Sequence, residues 1–336
     1  MYCLRQKISH EKYTILVTGI GGYLGSNFAY KAMQEGHGVI GIDNMSNCNN
    51  EKISILSKKY PETFNFYKGD LRIRSNIIQV FKNTDKINLV AHFAALKDVN
   101  ESQRYPERYY ENNVEGTRNL LEVLTHNKVK KIIFSSSAAV YGNQALQPVT
   151  EKIAPTPISI YAKTKLEAEE LIREKCNQKF LSAVCLRYFN PMGMHKQKQI
   201  KYDFPETLAG AILESLKNGK KIEVFGNDYE TKDGSCERDF IHVDDLISGH
   251  MSSIRFIEKN DGFHIFNLGT GKSSSVLEVI EEFKKITNSN INIAIGKRRN
   301  GDISISYANI SKAKKDLNWK PIYNLNDMCK DSLIGA

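Results

Sequence analysis

The sequence predicts an α/β chain: a doubly wound parallel sheet followed by a smaller C-terminal substrate-binding lobe. Three observations predict it. Strand and helix patterns alternate from Tyr13 to Asn190, a glycine-rich turn joins the first strand to the first helix, and after Asn190 the alternation breaks into short irregular pieces. "YTILVTG" is apolar almost throughout, the pattern of a strand buried on both faces. The helix after it carries Leu24, Phe28 and Ala32 on one stripe and meets Gly36 near its end. Strand "GVIGID", a helical stretch through "ISILSKKY", strand "FNFYKGD", helix "IIQVFKN" and strand "INLVAHFAA" follow. Helix "GTRNLLEVLTHN", strand "KKIIFSSS", a helix around Tyr161 and strand "LSAVCLRYFN" complete the series. The first domain is therefore expected over 1–189, with 1–12 as a polar extension. The second is expected over 190–336, with a segment around 239–250 returning to the first.

Composition excludes several classes. Of 336 residues, 41% are hydrophobic and 25% charged, the balance of an ordinary globular chain. No apolar run reaches the length of a membrane span, and "MYCLRQKISHEK" lacks the apolar centre of a secretory signal, so a cytoplasmic location is expected. The six cysteines (Cys3, Cys48, Cys176, Cys185, Cys236, Cys329) form no CxxC pair, which favours reduced thiols and no metal site. The net charge of +9 suits an anionic ligand, but the lysines are scattered, as in "KNTDK", "KVKK" and "KNGKK". No nucleic-acid-binding pattern accompanies them, so a nucleic-acid partner is not expected.

"TGIGGYLGS" places Gly19, Gly22 and Gly25 at the first strand–helix junction. Glycines there permit a tight turn and let a pyrophosphate reach the amides of the helix start. Structural turns also collect glycine; the strand before and the helix after give the spacing its weight, and the sheet reads as Rossmann-type. Asp43 ends the second strand, where a carboxylate accepts from an adenosine ribose and repels a 2′-phosphate; this favours NAD over NADP, although a turn residue looks the same. Asp70 in "KGDLR" could reach the adenine, or could be a simple turn aspartate, and "HFAALKDV" would line the groove with backbone. The fifth strand ends in Ser135, Ser136 and Ser137, and the next helix holds Tyr161 and Lys165 four residues apart on one face. Alone, such a pair is as readily a surface contact. Above a nicotinamide, a serine, a phenol and an ammonium make a proton-transfer set, with Lys165 and the ring cation drawing the tyrosine down from its usual value near 10.

With these residues in place the chain resembles the extended short-chain dehydrogenase/reductase family, and within it the UDP-hexose 4-epimerases. The supporting stretches are "VTGIGGYLGSN", "IDNMSN", "HFAALKDVNES", "YYENNVEGT", "FSSSAAVYG", "YAKTK", "LRYFNPMG", "FNLGTG", "RRNGD" and, most specific, "FGNDYETKDGSCERDFIHVDDL"; they run from about Tyr13 to about Asp327. The resemblance implies NAD contacts from Gly19, Gly22, Tyr23, Leu24, Asp43, Asn44, Asn47, Asp70, Leu71, Phe93, Ala94, Lys97, Asn113, Tyr161, Lys165 and Tyr188. It implies Ser137, Tyr161 and Lys165 as the catalytic group, with Lys97, Ser137 and Tyr161 also reaching the sugar nucleotide. Asn190, Arg238 and Arg299 would hold its diphosphate, Phe225 its uracil, and Asp302 its ribose, with Thr207 also among the substrate-binding residues. Planar arginine forks suit phosphate oxygens, although surface salt bridges use them equally. A homodimer through the helices after "YYENN" and around Tyr161 is also implied.

The implied reaction is a transient oxidation at C4, rotation of the keto sugar, and return of the hydride to the opposite face, with no net redox. Two departures stand out. Members of the galactose type carry a longer segment and an Asn-Asn pair where this chain has "HKQKQIKYDFPETLAGAI" with Glu206-Thr207, and Ala139 stands where a threonine is common. The related dehydratases and decarboxylases need an acid or base beside the active serine; Ala138 and Ala139 offer none. A net reductase would release NADH, and a non-catalytic dinucleotide sensor would not need the Tyr–Lys pair. Finally, the resemblance implies that Ser306 borders the sugar 2-substituent; a small residue would leave room for an acetamido group, unless Tyr307 swings in.

Overall fold

The computed structural model describes residues 12–48, 50–194, 207–299 and 302–335. Apolar runs in the first half form β1 (Thr14–Thr18), β2 (Gly38–Asp43), β3 (Phe64–Lys68), β4 (Leu89–His92), β5 (Lys131–Ser137) and β6 (Ser182–Tyr188). With Phe263–Leu268 they make one sheet of parallel neighbours, in the order Phe263–Leu268, β6, β5, β4, β1, β2, β3. The order reverses between β1 and β4, and loops leaving those two carboxyl ends diverge and open a crevice.

Helices cover both faces: α1 (Tyr23–Gln34), α2 (Glu51–Lys59), α3 (Arg74–Lys82), α4 (Val99–Arg104), α5 (Pro106–Tyr109), α6 (Gly116–His126) and α7 (Ile160–Asn177). That is why β1 is apolar on both sides, with Ile15, Leu16 and Val17 fully buried. α1 buries Phe28 and Ala32, and its chain turns off where Gly36 takes φ +90°. α7 starts at Ser159, whose hydroxyl accepts the Ala162 N–H at 3.1 Å.

Two features differ from the sequence reading. Residues 99–115, read without a helix, form α4, α5 and a π-type turn over Tyr110–Glu115 that runs into α6. The pieces are too short to show an amphipathic stripe, and Pro106 interrupts them. The boundary expected at 190 is also crossed. Helix Val243–Ile257 packs on α1, β5 and β6, and Phe263–Leu268 is the seventh strand of the sheet, so the return expected around 239–250 extends to Leu268. The remaining second lobe holds three small sheets: Asn190–Met192 with Phe240–His242, Ile222–Phe225 with Ile293–Gly296, and Glu237–Arg238 between Ser274–Ser275 and Ile305–Ser306. Fully buried Asp239 ties this lobe together by accepting the N–H groups of Thr270 (2.6 Å), Gly271 (3.0 Å) and Ala308 (3.1 Å).

The five described cysteines are free thiols. Among the described residues no cluster of His, Cys, Asp and Glu could hold a metal ion, and no helix is long and apolar enough to cross a membrane.

Candidate active site

The crevice where the strand order reverses is a cleft of ≈ 370 Å³. Its near wall is the glycine turn. Gly19 takes φ +71°, and a Cβ on it would sit 2.6 Å from the Ala94 amide nitrogen. A Cβ on Gly25 would sit 2.2 Å from the Gly19 carbonyl oxygen. Both glycines are thus required for β1, α1 and the end of β4 to meet this closely. Gly22 precedes α1 and has no side chain to cap its first turn, so those N–H groups and the positive end of the helix dipole face the cleft. Tyr23 and Leu24 line the cleft from that turn, and the Tyr23 hydroxyl donates to the Gly193 carbonyl.

The acidic end of β2 forms one extremity. Asp43 is 8% exposed; it accepts the Gly21 N–H at 2.9 Å and the Met45 N–H at 2.8 Å. A carboxylate has lone pairs beyond these two bonds, so Asp43 can close the turn and still accept from hydroxyls in the cleft. Asn44, Ser46, Asn47, Gly69, Asp70 and Leu71 line the same end. Asp70 lines the cleft with its carboxylate already engaged. Its carboxylate is held by Arg72 (2.7 Å) and by the Asn44 amide (3.1 Å), and the Arg72 guanidinium draws its pKa down to about 2. Lys52 on α2, 4% exposed, also lines the cleft; nothing in "NEKISIL" singled it out.

At the other extremity stand Phe93, Ala94, Lys97, Ser137, Tyr161, Lys165, Tyr188, Asn190 and Thr207. Ser137 ends β5 and lies beside Tyr161 at the start of α7, both facing the cleft. Tyr161 keeps part of its surface open to the cleft, yet burial of its hydroxyl raises its pKa, opposed only by Ser137. The expected lowering by Lys165 is therefore absent in the cofactor-free chain. Lys165, 3% exposed, gives its ammonium to the Ser135 carbonyl at 2.7 Å, and burial brings it down to about 7, against the pull of Glu169. The Tyr188 hydroxyl meets His250 Nε2 at 2.5 Å. No acid or base follows Ser137, only Ala138 and Ala139. Thr207 lines the cleft while its Oγ caps helix Leu208–Asn218 through the Gly210 N–H at 3.1 Å. Glu206 lies outside the described residues.

Asn113 is not in the cleft wall; Asn112 is. The Asn113 amide sits behind the wall, donating to the Leu96 carbonyl (2.9 Å) and Thr164 (3.0 Å) and accepting the Leu96 N–H (2.8 Å). Adjacent asparagines carry no signal in sequence for which one faces inward.

The remaining expected residues form a second cluster in the C-terminal lobe, apart from the cleft lining. The Arg299 guanidinium lies 4.4 Å from the Phe225 ring centroid and donates to Asp302 at 2.9 Å. Arg238 approaches the same carboxylate at 3.7 Å and bonds the Ile303 carbonyl at 2.6 Å, and Ser306 is its neighbour across the strand pair. Two arginine forks, one ring and one carboxylate can bind an aromatic base and an anionic diphosphate together.

Glycine turn, uncapped helix start and acidic strand end fit a dinucleotide along the cleft. The model of the NAD dependent epimerase/dehydratase family matches residues 15–269. The chain belongs to that family. A UDP-glucose 4-epimerase of Erwinia amylovora is 39% identical over 329 residues, 95% of this chain and 96% of the relative. A solved UDP-glucose 4-epimerase of Stenotrophomonas maltophila, with bound NAD and formylated UDP-arabinopyranose, superposes with a TM-score of 0.91 at 35% identity over 96% of this chain and 97% of that one. The UDP-Glc/GlcNAc 4-epimerase of Campylobacter jejuni gives 0.84 at 34% identity over 96% of this chain and 98% of that one. As a member of the family the chain is an NAD-dependent nucleotide-sugar epimerase, and the first-turn amides of α1 and the Asp43 carboxylate are the groups that suit its cofactor.

Proposed function

We propose that the chain interconverts UDP-glucose with UDP-galactose and, on the same site, UDP-GlcNAc with UDP-GalNAc. The observation that carries the reading is that Ser137, Tyr161 and Lys165 line together the cleft that the glycine turn opens. Bound NAD supplies a reversible hydride acceptor for the sugar C4. Tyr161 takes the 4-hydroxyl proton, directly or through Ser137, and returns it after the 4-keto sugar has turned its other face. Lys165 would hold the cofactor ribose. The α1 amides hold the pyrophosphate, and Asp43 the adenosine ribose. Arg238 and Arg299 exchange part of their hold on Asp302 for the UDP diphosphate, while Phe225 stacks near the uracil and Asn190 and Thr207 reach the diphosphate from the cleft side. Fixed UDP and a loose sugar are what turning requires.

The N-acetyl half of the reading rests on Ser306. It is small, half-buried and next to Arg238. Tyr307 has its backbone bound on both sides, N–H to Gln147 Oε1 (3.1 Å) and carbonyl to the Val149 N–H (2.9 Å). The name of the Campylobacter jejuni relative supports the same breadth. A homodimer and a cytoplasmic location complete the reading; light scattering of the purified chain tests the first and fractionation of the source cell the second. The deciding experiment supplies UDP-galactose and UDP-GalNAc separately to NAD-loaded protein and separates the products. Both are expected to convert without accumulating NADH. Ser306→Tyr is expected to suppress the N-acetyl pair and spare UDP-galactose, because overpacking costs about 1–3 kcal/mol. No conversion of either sugar by loaded protein defeats the proposal; conversion of plain hexoses alone defeats its N-acetyl half.

A further inference from the structure

We propose that His92, which does not line the cleft, is a positioning residue: it holds the glycine turn and the Tyr161 helix in fixed relation through two buried sets of hydrogen bonds that meet at Asn113. His92 ends β4 and is 1% exposed, between Thr18 at the end of β1 and Thr117 on α6. The Thr117 hydroxyl donates to the Asn113 carbonyl at 2.6 Å. Its one proton is committed there, so His92 Nε2, 2.9 Å away, must be the donor between them. Nδ1 is then a bare acceptor and takes the Thr18 hydroxyl proton at 2.6 Å. Thr18 Oγ in turn accepts the Ala94 N–H at 3.2 Å.

The far side continues in the same way. The Asn113 amide donates to Thr164 Oγ at 3.0 Å, and Thr164 Oγ donates to the Tyr161 carbonyl at 2.8 Å. This relay of two sets starts at the backbone that would meet any Cβ on Gly19 and ends on the backbone of Tyr161 itself. Thr18, Thr117, Asn113 and Thr164 are all buried, so no water can replace a missing member without a cavity. The donor order works only with a neutral imidazole carrying its proton on Nε2. Burial and the nearby Lys165 hold its pKa down to about 3, which keeps it neutral.

The inference rests on the reading of Tyr161 as the proton-transfer group. A histidine that only filled space would be replaced by phenylalanine without effect on the chemistry. The relay instead predicts that NAD-loaded His92→Phe loses kcat about 10- to 100-fold, as a small misplacement of reacting groups does, with KM for UDP-galactose unchanged. His92→Gln, which keeps one donor and one acceptor, is expected to recover part of that loss. Thr117→Val breaks the same relay once, so the double variant is expected to lose no more than the worse single. A ¹⁵N NMR spectrum of histidine-labelled wild type is expected to show His92 as the Nε2–H tautomer from pH 5 to 9. Full kcat in loaded His92→Phe, additive losses, an Nδ1–H tautomer or a charged ring would each overturn it. If His92→Phe does not fold, the wild-type tautomer and Thr117→Val decide. If wild type proves inactive, Tyr161's assigned role fails, whereas the tautomer still judges the relay.

Discussion

In the proposed reaction Tyr161 gives up a proton that its surroundings retain. Burial raises its pKa, and only Ser137 works the other way. The nearest helical ammonium, Lys165, is turned to the Ser135 carbonyl and itself titrates at about 7. A phenolate at neutral pH therefore needs positive charge that the protein alone does not hold beside the hydroxyl, and the oxidised nicotinamide is a cation. Without NAD the Tyr161 phenolate is expected at higher pH than that of a free tyrosine, because a raised pKa delays ionisation. NAD loading is expected to shift its appearance to lower pH. The difference in absorbance at 295 nm between wild type and Tyr161→Phe, with and without NAD, measures both; an unshifted titration on loading contradicts the account. Tyr161→Phe is also expected to lose about 10²–10⁴-fold in rate while keeping its NAD, as removal of a positioned acid–base group does.

At the scale of elements, α1 and α7 divide the work by how they begin. α7 is capped by its own Ser159, so its start is finished and rigid under Tyr161. α1 begins at Gly22 with no side-chain cap, leaving its first turn open to the cleft. What aims that turn is the contact of Gly25 with Gly19. Gly25→Ala sets two effects against each other. Alanine favours a helix by about 1 kcal/mol over glycine. Here its methyl would sit 2.2 Å from a backbone oxygen, which cannot move as a side chain does. Overpacking costs about 1–3 kcal/mol, so the clash is expected to win. The variant should unfold at lower urea concentration and bind NAD more weakly; a higher midpoint with unchanged NAD affinity would show that α1 can slide freely.

Across the whole molecule, one buried polar network ties the sheet, α7 and the second lobe together. Arg187 of β6 and Glu169 of α7 are 1% and 0% exposed and pair at 2.6 Å. Ser136 donates to Glu169 at 2.5 Å, the Arg187 guanidinium lies 4.7 Å from the Tyr141 ring centroid, and the Tyr141 hydroxyl donates to Asn267 at 2.6 Å on the seventh strand. Asn267 closes the network by donating to the Val149 carbonyl at 2.9 Å, next to the bridge between Val149 and Ala308. Removing one charge of a buried pair strands the other, at about 3–5 kcal/mol, whereas apolar replacement of both is often neutral. Arg187→Met is therefore expected to lower the unfolding midpoint strongly, and Arg187→Met with Glu169→Leu to regain most of it. Urea unfolding of the NAD-free proteins reads this, and a mild single variant would mean that water enters the network.

The sequence by itself determined what depends on near neighbours. The period of apolar residues named six of the seven strands of the large sheet, the glycine spacing placed the turn, and Tyr161 and Lys165 share a face because they stand four residues apart on one helix. Tertiary structure alone decided which way those groups act. Lys165 turns to a carbonyl thirty positions earlier, Asn112 and not Asn113 faces the cleft, and Asp70 lines the cleft while binding Arg72 and Asn44. It also decided that Phe263–Leu268 joins the sheet beside β6, and that His92 links the ends of β1 and β4 to α6 and α7. These choices turn on burial and on partners distant in the chain. A side chain's ionisation and hydrogen-bond direction are set by what surrounds it in space, and no spacing of letters states that.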